Sequence, residues 1–201
     1  MTELKLYMKK VLIFGSEGQL GFDLTRVFKD GYEVVDLNHQ QADITDAESV
    51  NSMVNQEKPD VVLNATAYNK VEAAETDGVT AFSVNAKGVE NLAKASERVN
   101  AVFVHVSTDY VFDGSKEFFT EADVPSPLNV YGQSKLEGER LAAAASSKYY
   151  IIRTSAVFGI KTGKQKVNFV DRMISLAKDG KVLKVVNDQF SSPTYALDLA
   201  S

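Results

Sequence analysis

Val11-Leu12-Ile13-Phe14-Gly15-Ser16-Glu17-Gly18-Gln19-Leu20-Gly21 joins an apolar run, a glycine turn and the opening of a helical pattern without a break. The spacing is G-x-x-G-x-x-G rather than G-x-G-x-x-G, but the physical need is similar. Gly15 permits a tight turn, Gly18 lets the backbone approach a pyrophosphate, and Gly21 allows close helix–strand packing. The helix N-terminus then offers N–H groups and a positive dipole end to phosphate oxygens. A glycine turn without a ligand is the alternative, and the strand before and helix after it weigh against that.

Outward from this stretch, apolar runs alternate with helical patterns. Strands are predicted at Val11–Phe14, Tyr32–Asp36, Asp60–Asn64, Ala101–Val106, Tyr149–Arg153 and Lys181–Val186. Most are short and β-branched, as strands buried on both faces should be. Helices are predicted at Gly18–Lys29, Asp46–Gln56, Val79–Val99, Pro127–Ser146 and Asn168–Lys178. The fourth has Ser126 at a cap position and Pro127 at the first helical position. Such alternation predicts a parallel sheet wrapped on both faces by right-handed crossovers. The last residues, Pro193 to Ser201, read as the opening of another helix, expected of either a short protein or a truncated one. Residues 1–8 are expected to be an extension.

Composition narrows the function classes. The 201 residues suit one large domain, or one domain with part of another. Cysteine is absent, which excludes disulfide scaffolds, cysteine zinc sites and thiol nucleophiles. A net charge of −5 argues against nucleic acid or an anionic membrane as partner. No apolar run approaches the roughly 20 residues of a membrane helix, and a cytoplasmic protein is expected. No G-x-S-x-G elbow or P-loop occurs. His39 lacks metal-ligand spacing, and His105 reads as a core residue, so no metal site is expected.

Three further places carry candidate chemistry. Asp36 ends the second predicted strand, about 20 residues beyond the glycine loop, where a carboxylate holds ribose hydroxyls and repels a 2′-phosphate. That tilts the cofactor toward NAD, unless Asp36 is a solvated loop residue. Asp43-Ile44 could meet an adenine ring, or Asp43, Thr45 and Asp46 could cap a helix. Tyr131 and Lys135 lie four apart on one helix face, and Tyr131 is the one tyrosine with a lysine at that spacing. An ammonium beside a buried phenol would lower its pKa and make it a usable acid. Ser107-Thr108-Asp109 closes the fourth strand at the carboxyl edge, where open α/β sheets bind ligands; a simple turn would use the same residue types.

These segments together resemble the extended short-chain dehydrogenase/reductases, in the dTDP-4-dehydrorhamnose reductase branch. The resemblance is carried by Gly15–Gly21, Asn64-Ala65-Thr66-Ala67-Tyr68, Val71-Glu72-Ala73-Ala74-Glu75, Ser107-Thr108-Asp109-Tyr110-Val111-Phe112-Asp113-Gly114, Ser126–Lys135 and Arg153-Thr154-Ser155. Asn187-Asp188-Gln189 with Pro193-Thr194 matches the same branch near its domain crossover. Ala156 stands where the best-known members carry an aromatic residue.

The resemblance implies a doubly wound Rossmann-type α/β sheet with strand order 3-2-1-4-5-6. It spans residues 9–201, with 155–201 beginning the crossover to a sugar-binding part that is largely missing. It implies Thr108, Tyr131 and Lys135 as catalytic residues. Gly15, Gly18, Gln19, Leu20, Asp36, Asp43, Ile44, Ala65, Ala67, Tyr68, Val106, Tyr131 and Lys135 would bind the cofactor, NADH or NADPH. Thr108 and Asp109 would bind a nucleotide-sugar substrate, and a homodimer is a possible assembly. The implied activity is reduction of the C4 keto group of a nucleotide-linked 6-deoxysugar. The alternatives are an epimerase or dehydratase of the same fold, or a nucleotide-binding regulatory subunit resembling that of methionine adenosyltransferase.

Overall fold

The computed structural model describes residues 8–160 and 167–201, so the expected N-terminal extension lies outside it except for Met8. Five strands, β1 (Lys10–Phe14), β2 (Glu33–Leu37), β3 (Val61–Asn64), β4 (Val102–Thr108) and β5 (Tyr149–Thr154), form one parallel sheet. The helices are α1 (Gln19–Phe28), α2 (Ala47–Glu57), α3 (Val71–Ala74), α4 (Gly78–Phe82), α5 (Val89–Arg98), α6 (Val130–Ala145), α7 (Phe169–Lys178) and α8 (Ala196–Ala200). A two-stranded pair, β6 (Val157–Phe158) with β7 (Thr194–Tyr195), stands apart.

Strand β1 is central, and Val11 to Phe14 are fully buried because both faces are covered. Leu12 and Phe14 join Val62 and Phe103 against Val50 and Val54 of α2 and Leu92 of α5. Val11, Ile13 and Leu63 point the other way, against Leu20 and Leu24 of α1 and Ala196 and Ala200 of α8. This is the doubly wound α/β sheet expected from the alternation. On the α1 face the cover thins toward β4 and β5. Ile152 and Tyr150 are exposed, and an open apolar groove of about 270 Å³ is lined by Leu24, Phe28, Val104, Val106 and Ile152.

The strand order is β2-β1-β3-β4-β5, not the expected 3-2-1-4-5-6. The third strand lies beside β1, on the side away from β2, so the winding reverses between β1 and β3. Helices leaving those two strands diverge, which opens a crevice at their carboxyl ends. The sixth predicted strand, Lys181–Val186, does not form. Its residues are exposed, Val182 at 86%, and β-branched sequence without a neighbouring strand does not make a sheet.

Helix starts also differ. Helix α6 begins at Val130 rather than Pro127, with Asn129 as its cap: Gly132 N donates to Asn129 Oδ1 at 2.7 Å. The backbone N–H of Ser126, the expected cap, instead bonds Val111 O. The single helix predicted over Val79–Val99 is α4, a π-helical stretch at Ser83–Gly88 and then α5. Wider turns of this kind put an extra residue into the coil and re-aim side chains.

Candidate active site

The glycine loop bridges β1 and α1 at the crevice. Gly15 N and Ser16 N donate to Leu37 O at 2.8 and 3.0 Å, which fastens the loop to β2. Gly15 has φ +89°, a conformation side chains disfavour. A Cβ at Gly21 would lie 2.1 Å from Gly15 O, and one at Gly15 would lie 3.0 Å from the Ala65 backbone. Loop, helix and the chain after β3 are therefore in backbone contact. Helix α1 starts with no side-chain cap and no acid in its first turn. The positive dipole end of α1 and the close-approaching glycine backbone have the chemistry of a pyrophosphate cradle.

The other predicted cofactor residues are placed unevenly. Gln19 reaches outward, accepting from Asn168 Nδ2 at 3.2 Å, whereas the Leu20 side chain is in the core. Asp43 accepts from the Thr45 N–H and hydroxyl at 2.9 and 2.8 Å, and these bonds hold its carboxyl below its ordinary pKa. Asp46, not Asp43, caps α2. Ile44 is buried, against the point where Gly88 passes. Ala67 is exposed, and Tyr68 is held by Asn85, which bonds both Tyr68 N and Tyr68 O. Asp36 is not brought to the loop by any of these contacts. Its carboxylate pairs at 3.9 Å with Lys29, at the opposite end of α1, so the geometry gives no support to the tilt toward NAD.

The Tyr131–Lys135 face of α6 meets the end of β4. A Cβ at Gly132 would lie 2.2 Å from Tyr110 O, so the helix sits directly on the turn that follows Thr108. Tyr131 is 9% exposed and packs edge-on against Tyr110, with ring centroids 5.6 Å apart. Its phenol lies beside the Thr108 hydroxyl. Thr108 Oγ1 accepts from Tyr110 N at 3.2 Å and donates to Asp109 Oδ1 at 3.1 Å, and Ser155 Oγ donates to Asp109 Oδ2 at 2.6 Å. Thr108, Asp109 and Ser155 thus form one hydrogen-bonded chain beside Tyr131.

Burial raises the phenol of Tyr131 above its ordinary pKa, with the neighbouring Thr108 hydroxyl pulling the other way. The expected lowering by Lys135 does not occur. Lys135 is itself lowered to about 7 by burial, and its Nζ donates to Val106 O at 2.7 Å and lies 3.3 Å from His105 Nε2. Desolvation dominates both shifts, and neither group is among the causes of the other's. Tyr131 is protonated at neutral pH and has a proton to give.

Two contributors were not singled out by the sequence reading. Asn85, in the π-helical stretch, donates to Ser134 Oγ at 3.0 Å and so ties the 65–69 loop to α6. Its signal was a buried polar residue inside an apolar helical run. His105 was read as core and is fully buried, yet both ring nitrogens have polar neighbours. Gln189 reaches Tyr110 OH at 3.3 Å, which places the Asn187–Gln189 segment against the same corner. Ser107 Oγ and Thr154 Oγ1 are buried near this rim without a partner. No metal-binding cluster occurs among the described residues.

Known proteins resemble this chain over nearly its whole length. The family described as RmlD substrate binding domain matches residues 8–201. A dTDP-4-dehydrorhamnose reductase of Aggregatibacter actinomycetemcomitans is 46% identical over 197 residues, covering 96% of this chain and 66% of that protein. One from Burkholderia thailandensis is 44% identical, covering 95% of this chain and 63% of its own length. The chain therefore spans just under two thirds of these relatives. The crystal structure of dTDP-4-dehydrorhamnose reductase from Bacillus anthracis in complex with NADP superposes with a TM-score of 0.92 at 38% identity, covering 96% of this chain and 68% of that one.

Proposed function

The chain belongs to the RmlD substrate binding domain family, and on that footing we propose that it carries the cofactor-binding and proton-donating part of an NAD(P)H-dependent reductase of nucleotide-linked 4-keto-6-deoxysugars. The observation that supports this most is the placing of the buried Tyr131 of α6 against the turn after Thr108, itself buried at the carboxyl edge of the sheet. Burial keeps the phenol protonated, as a general acid must be before it acts.

The bound nicotinamide, NADH or NADPH, would supply the hydride. Gly15 and Gly18 would hold its pyrophosphate, with Gly21 letting α1 pack close beneath them, and Lys135 its nicotinamide ribose. Thr108 would orient the sugar carbonyl, and Tyr131 would protonate the oxygen at C4. Asp109, fixed by Thr108 and Ser155, would keep the Thr108 hydroxyl aimed. Residues 155–201 would begin the sugar-facing part, consistent with the contact of Gln189 on Tyr110.

Calorimetry with NADH and NADPH, followed by oxidation of each in the presence of a dTDP-4-keto-6-deoxysugar, tests the reading. Tyr131→Phe is expected to keep dinucleotide affinity and to lose ~10²–10⁴-fold in turnover. Unchanged turnover in that variant, or no dinucleotide binding by the chain, refutes the assignment.

A further inference from the structure

Asn64, His105 and Lys135 form a buried line across the sheet and onto α6, each at most 1% exposed. Water therefore cannot replace any partner in the line. Asn64 Oδ1 accepts from the Thr66 N–H at 3.0 Å and from the Thr66 hydroxyl at 2.6 Å. Turning the amide over would set its NH₂ against the Thr66 N–H, donor to donor. The amide orientation is thereby fixed, and Nδ2 is the group that meets His105 Nδ1 at 3.1 Å. Nδ1 must accept, and a neutral imidazole with a lone pair on Nδ1 carries its proton on Nε2. That Nε2–H faces Lys135 Nζ at 3.3 Å.

An ammonium at Nζ would meet an N–H with no lone pair to offer. An amine accepts from Nε2–H and still donates to Val106 O at 2.7 Å. We propose that Asn64 and His105 form a tautomer lock on Lys135: they hold the imidazole in its Nε2–H form, and that N–H favours the amine of Lys135 over its ammonium. His105 is then a positioning residue, acting through Lys135.

The surroundings agree. Burial holds His105 well below its ordinary pKa, so it does not escape the lock as imidazolium. Burial brings Lys135 to about 7, with the Glu139 carboxylate pulling upward. Glu139 is itself bound to Arg153 of β5 at 2.6 Å, which blunts that pull. Tyr131 lies one turn before Lys135 on the same helix, and Asp109 and Tyr110 from the turn after β4 bear on Tyr131. The lock rests on contacts within the chain; its value to the proposed reduction is a lysine that exchanges protons near neutrality.

The test uses the ¹⁵N-labelled chain without cofactor or substrate, so its outcome is separate from that of the reductase reading. Two-bond ¹H–¹⁵N correlation of the imidazoles should show His105 as the Nε2–H tautomer alone from pH 5 to 8. An Nδ1–H tautomer, an exchange average or an imidazolium at His105 overturns the proposal. Asn64→Leu removes the donor to Nδ1. In folded Asn64→Leu the Lys135 midpoint, read from ¹³Cε-lysine shifts, should rise by at least about one unit, a tenfold gain in proton affinity; an unmoved midpoint overturns the lock.

Discussion

At single positions, the chemistry was legible where it follows from spacing along one element. Tyr131 and Lys135 face the same way because four residues make about one helical turn, and Thr108 lies where a parallel strand ends. What escaped the sequence depends on other segments: the Asn64–His105 contact joins positions 41 apart, and Asn85 reaches α6 across 49. The sign of the Tyr131 shift escaped for the same reason, since burial comes from the whole fold. Gly21→Ala should test the cradle, because the added Cβ meets backbone rather than a yielding side chain. The variant is expected to lose at least about tenfold in dinucleotide affinity by calorimetry, and to unfold at lower urea. Lys135 gives a second test through pH. Its folded pKa of about 7 lies below the ordinary 10.5. Between those values the unfolded chain binds more protons, so its contribution to stability improves as pH rises; below about 7 the full burial penalty is present. Lys135→Met should therefore be more stable than the parent by on the order of a few kcal/mol at pH 6, with the gap closing toward pH 9.5. Urea melts at both values check it, and a gap that widens with pH contradicts it.

The elements themselves were mostly visible, because buried strands and amphipathic helices leave strong periodic signals. Their neighbours were not. Nothing in Val61–Asn64 says which side of β1 it takes, since a strand buried on both faces has the same pattern in either place. Lys181–Val186 shows the converse failure: good strand composition and no partner. The start of α6 was misplaced because proline fits a first helical turn but does not demand one, whereas Asn129 satisfies a free N–H outright. Asn129→Ala should cost about 1 kcal/mol of stability and loosen the turn that carries Tyr131. Hydrogen exchange at Gly132, the amide that Asn129 caps, should rise in step with that loss; protection equal to the parent's would show the cap to be idle.

For the molecule as a whole, composition bounded what the protein could be, and the fold added where its surface is unfinished. No described helix is long and apolar enough to cross a membrane, yet the β4–β5 side of the α1 face offers Val104, Val106 and Ile152 to an open groove. The folded chain should therefore bind 8-anilinonaphthalene-1-sulfonate with enhanced fluorescence, and Ile152→Lys should reduce that signal without lowering the unfolding free energy by more than about 0.5 kcal/mol. A native chain as dark as a dye blank would show the groove closed. The same bare hydrocarbon has a practical side. Molecules can adhere through it while every helix and strand is intact, so clouding need not wait for melting. Protein concentration, more than heat, then sets how long a sample stays clear, and sulfate shortens that time by strengthening apolar contact.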